Sequence, residues 1–277
     1  MRVRSLLAAA TRRLGGDTAR LDAELLLAHA LGLSRAQLYA RSEHEPDAAQ
    51  AAAFERLVAA RERGEPIAYL TGHREFWSLD LAVTPAVLIP RPETELLVEL
   101  ALARIAPDRE MRVADLGTGS GAIALAIARE RPRVRVVATD ASPAALEVAR
   151  GNAARLGLGN VTFASGDWCA ALGADRFDAI VSNPPYVGAG DAHLREGDLR
   201  FEPVAALVSG RDGLDAIRQI VADARAHLVN GGWLLLEHGW DQAARVRSLL
   251  EDHGYADVES FRDAAGHERA SAARWSA

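Results

Sequence analysis

A chain of 277 residues with a net charge of −6, 49% hydrophobic and 25% charged residues can hold more than one domain and has the composition of a soluble globular protein. No apolar run is long enough to span a bilayer, and arginines spread along a net-acidic chain exclude a surface-wide nucleic-acid binder, leaving only a local basic patch built by the fold. The single cysteine, Cys169, excludes an internal disulfide, fits a reducing cytoplasm and, without a Cys/His cluster, gives no zinc site.

In chain order, Met1-Arg2-Val3-Arg4-Ser5 lacks a full signal-peptide pattern, because Arg12 and Arg13 interrupt too soon. Residues 1–73 read as a small helical bundle rich in Ala, Leu and Arg. Leu21, Leu25 and Ala28 stand at helical spacing and Gly32 ends that helix. Ser34 and Gln37 form a capping-box signal for the next. Asp47 to Arg63 makes another, closed by Gly64-Glu65-Pro66. The bundle carries no catalytic constellation, so its expected role is scaffold or substrate recognition.

Residues 74–90 form the expected β-hairpin linker: Phe76 to Val83 alternate loosely, with a turn near Ser78 to Asp80. Pro90 and Pro92 stiffen the entry into a helix that runs to about Ile105. From there, within the domain assigned to 91–277, strands and helices alternate. Strands fall near 111–116, 134–139, 161–164, 177–182 and 232–237, and helices near 120–130, 142–156, 212–228 and 241–253. Asp257 to Phe261 and Ala270 to Trp275 read as a closing antiparallel pair. The expected class is α/β: a doubly wound, mostly parallel sheet with an antiparallel closing strand, behind a helical bundle.

The first βα unit is Val113-Ala114-Asp115-Leu116, then Gly117-Thr118-Gly119-Ser120-Gly121, then an apolar helix. Glycines let a backbone approach a ligand closely, and a helix start offers free N–H groups to an anion. The spacing departs from the dinucleotide fingerprint, since position 122 is Ala. Alone, such a loop is weak evidence. The second strand ends at Asp140, where an acid can accept both ribose hydroxyls of an adenosine; a solvated strand-end acid is the bland alternative. Ser142 caps the following helix, with Pro143 in its first turn. After the third strand come Asp167 and Trp168, which can bracket an adenine by its amine edge and face; equally, Trp168 can simply cover the sheet edge.

Asn183-Pro184-Pro185-Tyr186 follows the fourth strand. Two prolines continue neither a strand nor a helix interior, so the chain leaves the sheet in a stiff, extended turn. That turn fixes one carboxamide and one aromatic ring. A planar, weakly nucleophilic nitrogen needs such a holder: the Asn183 oxygen and the Pro184 carbonyl each accept one N–H, and the Tyr186 ring covers the plane. The bland alternative is a proline-stiffened turn with an incidental Asn and Tyr.

All four features fall at the carboxyl ends of consecutive strands. This layout resembles the class I S-adenosylmethionine-dependent methyltransferases, and NPPY in that place resembles the branch that methylates planar nitrogens. The joint pattern resembles the bacterial peptide chain release factor glutamine methyltransferases, the PrmC/HemK family, over essentially the whole chain. The resemblance rests on Glu65-Pro66-Ile67-Ala68-Tyr69-Leu70-Thr71-Gly72 and Ile89-Pro90-Arg91-Pro92-Glu93-Thr94-Glu95. It rests also on Asp115 to Gly121, NPPY, Gly197-Asp198-Leu199-Arg200-Phe201-Glu202-Pro203 and Leu235-Leu236-Glu237-His238-Gly239.

The resemblance implies S-adenosyl-L-methionine as cofactor and, as substrate, the glutamine of the Gly-Gly-Gln loop in class-1 release factors. The cofactor is then expected on Gly117, Thr118, Gly119, Ser120, Gly121, Asp140, Asp167, Trp168 and Asn183. The substrate amide is expected on Asn183, Pro184, Pro185 and Tyr186, with no metal, no membrane and no direct nucleic-acid contact. Arg91, Glu93, Arg200 and Glu202 are expected to brace the surrounding loops as ion pairs more than to touch substrate. His238 is expected to be a hydrogen-bonded strand-end histidine, since the chemistry needs no strong base. Three competing readings share the fold. A ribosomal-protein glutamine methyltransferase differs in recognition only, an adenine methyltransferase normally carries a basic target-recognition region, and a non-catalytic binder has no need of an intact glycine loop and NPPY.

Overall fold

A computed structural model describes residues 1–276. The chain divides into two compact units, residues 1–73 with 193–201, and residues 74–192 with 202–277.

The first unit is helical: α1 (Val3–Leu14), α2 (Ala19–Leu31), α3 (Arg35–Ala40), α4 (Ala48–Glu62) and α5 (Ile67–Thr71). Its core gathers Leu6, Leu7, Leu26, Leu27, Phe54 and Val58. Gly32 ends α2 in the left-handed region, and the Ser34/Gln37 capping box forms with both of its bonds. The face of α2 differs from the one its leucine spacing suggests. Leu21 is exposed and Leu25 half-buried, while Ala23, Leu26 and Leu27 are buried. Two acids share the buried side because each has a cation: Asp22 binds Arg61 at 2.9 Å, and Glu24 binds Arg20 and Arg35 at 2.6 and 2.8 Å. Paired charges can occupy positions that unpaired ones cannot. The 193–201 segment is tied to this bundle by Arg61–Asp198 at 2.9 Å and by Arg200 donating to the Arg63 carbonyl at 2.5 Å.

The second unit opens with a hairpin, β1 (His73–Phe76) and β2 (Leu79–Ala82). Its turn is Trp77–Ser78, both at positive φ (51° and 56°), one step earlier than the polar pattern suggests and of the kind that matches strand twist. Phe76, Leu79 and Leu81 are buried in the main core, so the hairpin is built into this unit and not strung as a bare connector. The rest follows as α6 (Glu95–Arg104), β3 (Arg112–Leu116), α7 (Ala122–Glu130), β4 (Arg135–Asp140), α8 (Pro143–Leu156) and β5 (Val161–Ser165). Then come β6 (Phe177–Ser182), α9 (Asp215–His227), β7 (Leu228–Glu237), α10 (Ala243–Asp252), β8 (Ala256–Arg262) and β9 (Glu268–Arg274).

The sheet order is β5-β4-β3-β6-β7-β9-β8. β3 to β7 run parallel, and β9 enters antiparallel beside β7. Successive strand residues feed opposite cores: Val113, Val136 and Val181 meet α6 and α7, whereas Ala114, Ile180 and Leu234 meet α9 and α10. Residues buried on both faces read as continuous apolar runs, the mark of a doubly wound parallel sheet. The decisive feature for function is where the winding reverses. β3 pairs with β4 on one side and β6 on the other, so Leu116 and Ser182 are register partners. Ser182 Oγ donates to the Leu116 carbonyl at 2.7 Å. The glycine loop and the NPPY turn thus leave adjacent strand ends, at the crevice where open α/β sheets bind ligands.

Candidate active site

A cavity of about 370 Å³ opens at that crevice, within the range of small-molecule sites, roughly 300–1,000 Å³. Gly117, Thr118, Gly119, Ser120, Asp140, Asp167, Trp168, Asn183 and Pro185 line it. Of the residues expected from sequence, Gly121, Pro184 and Tyr186 do not.

The glycine loop is held from below by Asp115. Its side chain is fully buried, and Oδ2 accepts from Thr118 Oγ1 at 2.6 Å and from the Ala124 N–H at 3.2 Å. The N-cap of α7 is Gly121, which has no side chain to cap with. Asp115 takes that part from the strand below. Gly117 and Gly119 both have positive φ, and a Cβ on Gly117 would stand 3.1 Å from the Trp168 ring. Gly121 is glycine for packing: a Cβ there would meet Leu125 and Ala149 at 3.0–3.3 Å. It also stands at positive φ (88°), and it is not among the residues lining the cavity.

Burial pushes the Asp115 carboxyl up to about 7, against the lowering effect of Thr118 and the Ala124 N–H. A folded pKa above the unfolded one means that the folded state holds the extra proton. The contribution to stability is full below the unfolded value and is lost as pH rises through about 7. Asp115→Asn removes this titration. Thermal melts in mildly acidic and mildly alkaline buffer should show a smaller loss of stability with rising pH in the variant; an unchanged difference rules Asp115 out as a source.

Asp140 sits at the end of β4, its oxygens accepting from the Gly119 N–H at 2.9 Å and the Ser142 N–H at 2.8 Å. Each oxygen keeps a second lone pair. Asp140 therefore orders the glycine loop as well as facing the cavity. Ser142 caps α8 through the Ala145 N–H at 3.2 Å, as its sequence position suggests. Asp167 is exposed, and Trp168 adopts φ 41° and half-buries its ring against the core on the α9 side. A bulky residue in the left-handed region is strained and needs a surrounding that enforces it.

Asn183 is fixed by a residue the motif analysis did not single out: its Nδ2 donates to Thr94 Oγ1 at 3.1 Å. Thr94 is buried and also lines the cavity. Tyr186 departs from expectation. Its hydroxyl donates to Glu237 Oε1 at 3.2 Å, its carbonyl accepts from Gln242 Nε2 at 3.0 Å, and its half-buried side chain packs against the core on the α9 side. The ring therefore braces the turn from behind, because its hydroxyl has a buried acceptor to satisfy. Glu237 ends β7 as Asp140 ends β4 and as Asp115 nearly ends β3. An acid closing an apolar strand is a signal by which sequence reading finds it.

The expected bracing of Arg91, Glu93, Arg200 and Glu202 resolves into one pair. Arg91 binds the buried Glu202, which also accepts from the Ile89 N–H at 3.0 Å. Arg200 belongs to the first unit, and Glu93 is exposed. His238 is buried, with Nδ1 on the Gly239 carbonyl and Nε2 on Ser271 Oγ, both at 2.9 Å. Burial lowers its pKa, and it is the structural histidine expected.

A family described as the PrmC N-terminal domain matches residues 5–72, and one described as the methyltransferase small domain matches residues 92–197. A release factor glutamine methyltransferase of Xylella fastidiosa is 55% identical over 270 residues, 98% of this chain and 97% of its own. The chain belongs to the release factor glutamine methyltransferase family. A second member, from Burkholderia pseudomallei, is 58% identical over 260 residues, covering 92% of this chain and 91% of its own. A methyltransferase of Pyrococcus furiosus shares the fold at a TM-score of 0.55 and 20% identity, over 79% of this chain and 98% of that one. The two family matches fall one on the helical unit and one on the strands that carry the glycine loop and NPPY. No helix among the described residues is long and apolar enough to cross a membrane.

Proposed function

We propose that this protein methylates the side-chain amide nitrogen of the glutamine in the Gly-Gly-Gln loop of class-1 peptide chain release factors, using S-adenosyl-L-methionine. The observation that carries the reading is the juxtaposition of a glycine-loop cavity and an anchored NPPY carboxamide at one switch point, in a chain more than half identical to family members along nearly its whole length. Partners are release factors, with no direct nucleic-acid contact. The cytoplasm, where translation terminates, is the expected compartment for a chain whose one cysteine is free and buried.

The residues fit the cofactor. Gly117 to Ser120 give a close backbone approach, Asp140 has lone pairs for a ribose, and Asp167 and Trp168 stand ready for the edge and face of an adenine. S-adenosyl-L-methionine supplies an electrophilic sulfonium methyl when bound. An amide nitrogen is delocalised and carries no proton that a side chain removes at neutral pH. Rate therefore comes from positioning and from matching developing charge. Asn183 Oδ1 and the Pro184 carbonyl accept the two amide protons and aim the nitrogen. Pro185 walls the cavity, and Tyr186 stiffens the turn. With the cofactor bound, the nitrogen would gain the methyl as the methyl–sulfur bond breaks and its electron pair returns to sulfur as a neutral thioether, and one nitrogen proton would pass to water.

The decisive experiment incubates purified protein with labelled cofactor and either a wild-type release factor or one with Gln→Ala in the Gly-Gly-Gln loop. Label should enter the first and stay at background in the second. Equal labelling of both would mean that the glutamine is not the acceptor.

A further inference from the structure

The cavity at the switch point carries its charges at opposite ends. Its two acids, Asp140 and Asp167, stand at the end of β4 and just after β5, on one side of the strand order β5-β4-β3-β6. Among the described residues that line it, Arg91 is the one basic side chain. Arg91 belongs to the other side. The Thr94 N–H bonds back to the Arg91 carbonyl at 3.1 Å, closing a tight turn, and Thr94 Oγ1 accepts from Asn183, just after β6, at 3.1 Å. The glycine loop that follows β3 lies between the two ends.

Arg91 is held by an acid that does not itself line the cavity. Glu202 is buried; its Oε1 accepts from Arg91 Nη2 and its Oε2 from the Ile89 N–H at 3.0 Å. A guanidinium has five N–H donors in a planar fork. The bond to Glu202 uses one of them, and the Arg91 side chain keeps 30% of its surface exposed. A pair that only braced a loop has no need to keep its cation in the cavity wall while its acid is sunk behind it.

We propose that Arg91 binds the methionyl carboxylate of the cofactor, with Glu202 fixing its fork for that contact, so that the site selects nucleosides whose amino-acid tail carries a free carboxylate. The inference rests on S-adenosyl-L-methionine being the cofactor. That molecule has two cationic groups, the sulfonium and the ammonium, and one anionic group, the carboxylate; the cavity offers one cation to meet it. With the nucleoside end on Asp140, Asp167 and Trp168, the tail runs past the glycine loop toward β6, where Arg91 stands. Arginine suits a carboxylate because its fork can give two parallel N–H bonds. Glu202 has a second effect. A lone guanidinium would repel a sulfonium across a dry cavity; the buried acid offsets that charge and leaves directional donors.

The test is calorimetric titration of the full-length protein with three ligands: S-adenosyl-L-methionine, its decarboxylated form, which keeps sulfonium and amine, and 5′-methylthioadenosine, which has no amino-acid tail. Wild type is compared with Arg91→Met and with the double variant Arg91→Met/Glu202→Gln, which leaves no buried carboxylate unpaired; circular dichroism checks the fold of each. Wild type should bind S-adenosyl-L-methionine about 10-fold to 100-fold tighter than the decarboxylated form, the scale of a hydrogen bond to a charged group. Both variants should lose that preference, while their affinities for the decarboxylated form and for 5′-methylthioadenosine stay within about 2-fold of wild type. Equal losses for all three ligands would make Arg91 a brace alone and overturn the proposal, as would undiminished S-adenosyl-L-methionine affinity in a folded variant. Should neither variant fold, the wild-type ratio decides: a value near one overturns the proposal, and 10-fold or more supports it. A wild type that binds none of the three ligands removes the cofactor reading itself, and this inference with it.

Discussion

Asn183→Ala should slow methyl transfer by about 100-fold or more while leaving release-factor binding nearly intact, because positioning is the main source of rate for an amide nucleophile and a small misplacement costs that much. The carboxamide is not free to be replaced by water. Its Nδ2 is fixed on Thr94 at 3.1 Å, so its oxygen is held where an acceptor is needed, and Pro184 and Pro185 keep the backbone from relaxing. Asn183→Asp is the sharper variant. It keeps shape and an acceptor but sets a carboxylate against the Thr94 oxygen with no N–H to offer. Partial activity is expected, below wild type and above Asn183→Ala. Single turnover at saturating cofactor separates the chemical step from binding. An Asn183→Ala enzyme that reacts at the wild-type rate would make the turn structural and remove the basis of the mechanism. Tyr186→Phe belongs in the same series. Because the hydroxyl meets Glu237 and does not point to solvent, losing it leaves a buried carboxylate short of a donor, so a measurable cost replaces the mild effect that ring stacking alone would imply.

Asp140→Ala should weaken S-adenosyl-L-methionine binding by about 1.5–3 kcal/mol, the range for hydrogen bonds to a charged group, read by calorimetric titration. The structure gives this expectation a second source. The same carboxylate holds the Gly119 and Ser142 N–H groups at 2.9 and 2.8 Å, so its removal also loosens the loop that lies against the ligand. Asp140→Asn separates the two. Its single oxygen can serve one N–H but its amide cannot accept from the other, so the loss should be intermediate. Unchanged affinity in Asp140→Ala would rule out both the ribose contact and the ordering of the loop by this side chain.

Much of this protein is fixed by local chemistry. Apolar runs such as Ala179 to Val181 and Leu234 to Leu236 become buried parallel strands because both of their faces are covered. Gly32, Ser34, Gln37 and Ser142 end or begin helices where their side chains or lack of one require it. Asp115, Asp140 and NPPY reach strand ends by the same alternation. Other features depended on partners far along the chain. The face of α2 follows from Arg61, Arg20 and Arg35 neutralising Asp22 and Glu24, and no periodicity anticipates a paired buried charge. Gly121 serves packing because Leu125 and Ala149 close on it. Tyr186 turns inward because Glu237, 51 positions later, is buried behind it. Thr94 meets Asn183 across 89 positions. The sequence by itself determined which groups carry the chemistry and at which strand ends they stand; only the tertiary structure decided which way those groups point, because orientation is set by hydrogen-bond partners brought together after the sheet has formed.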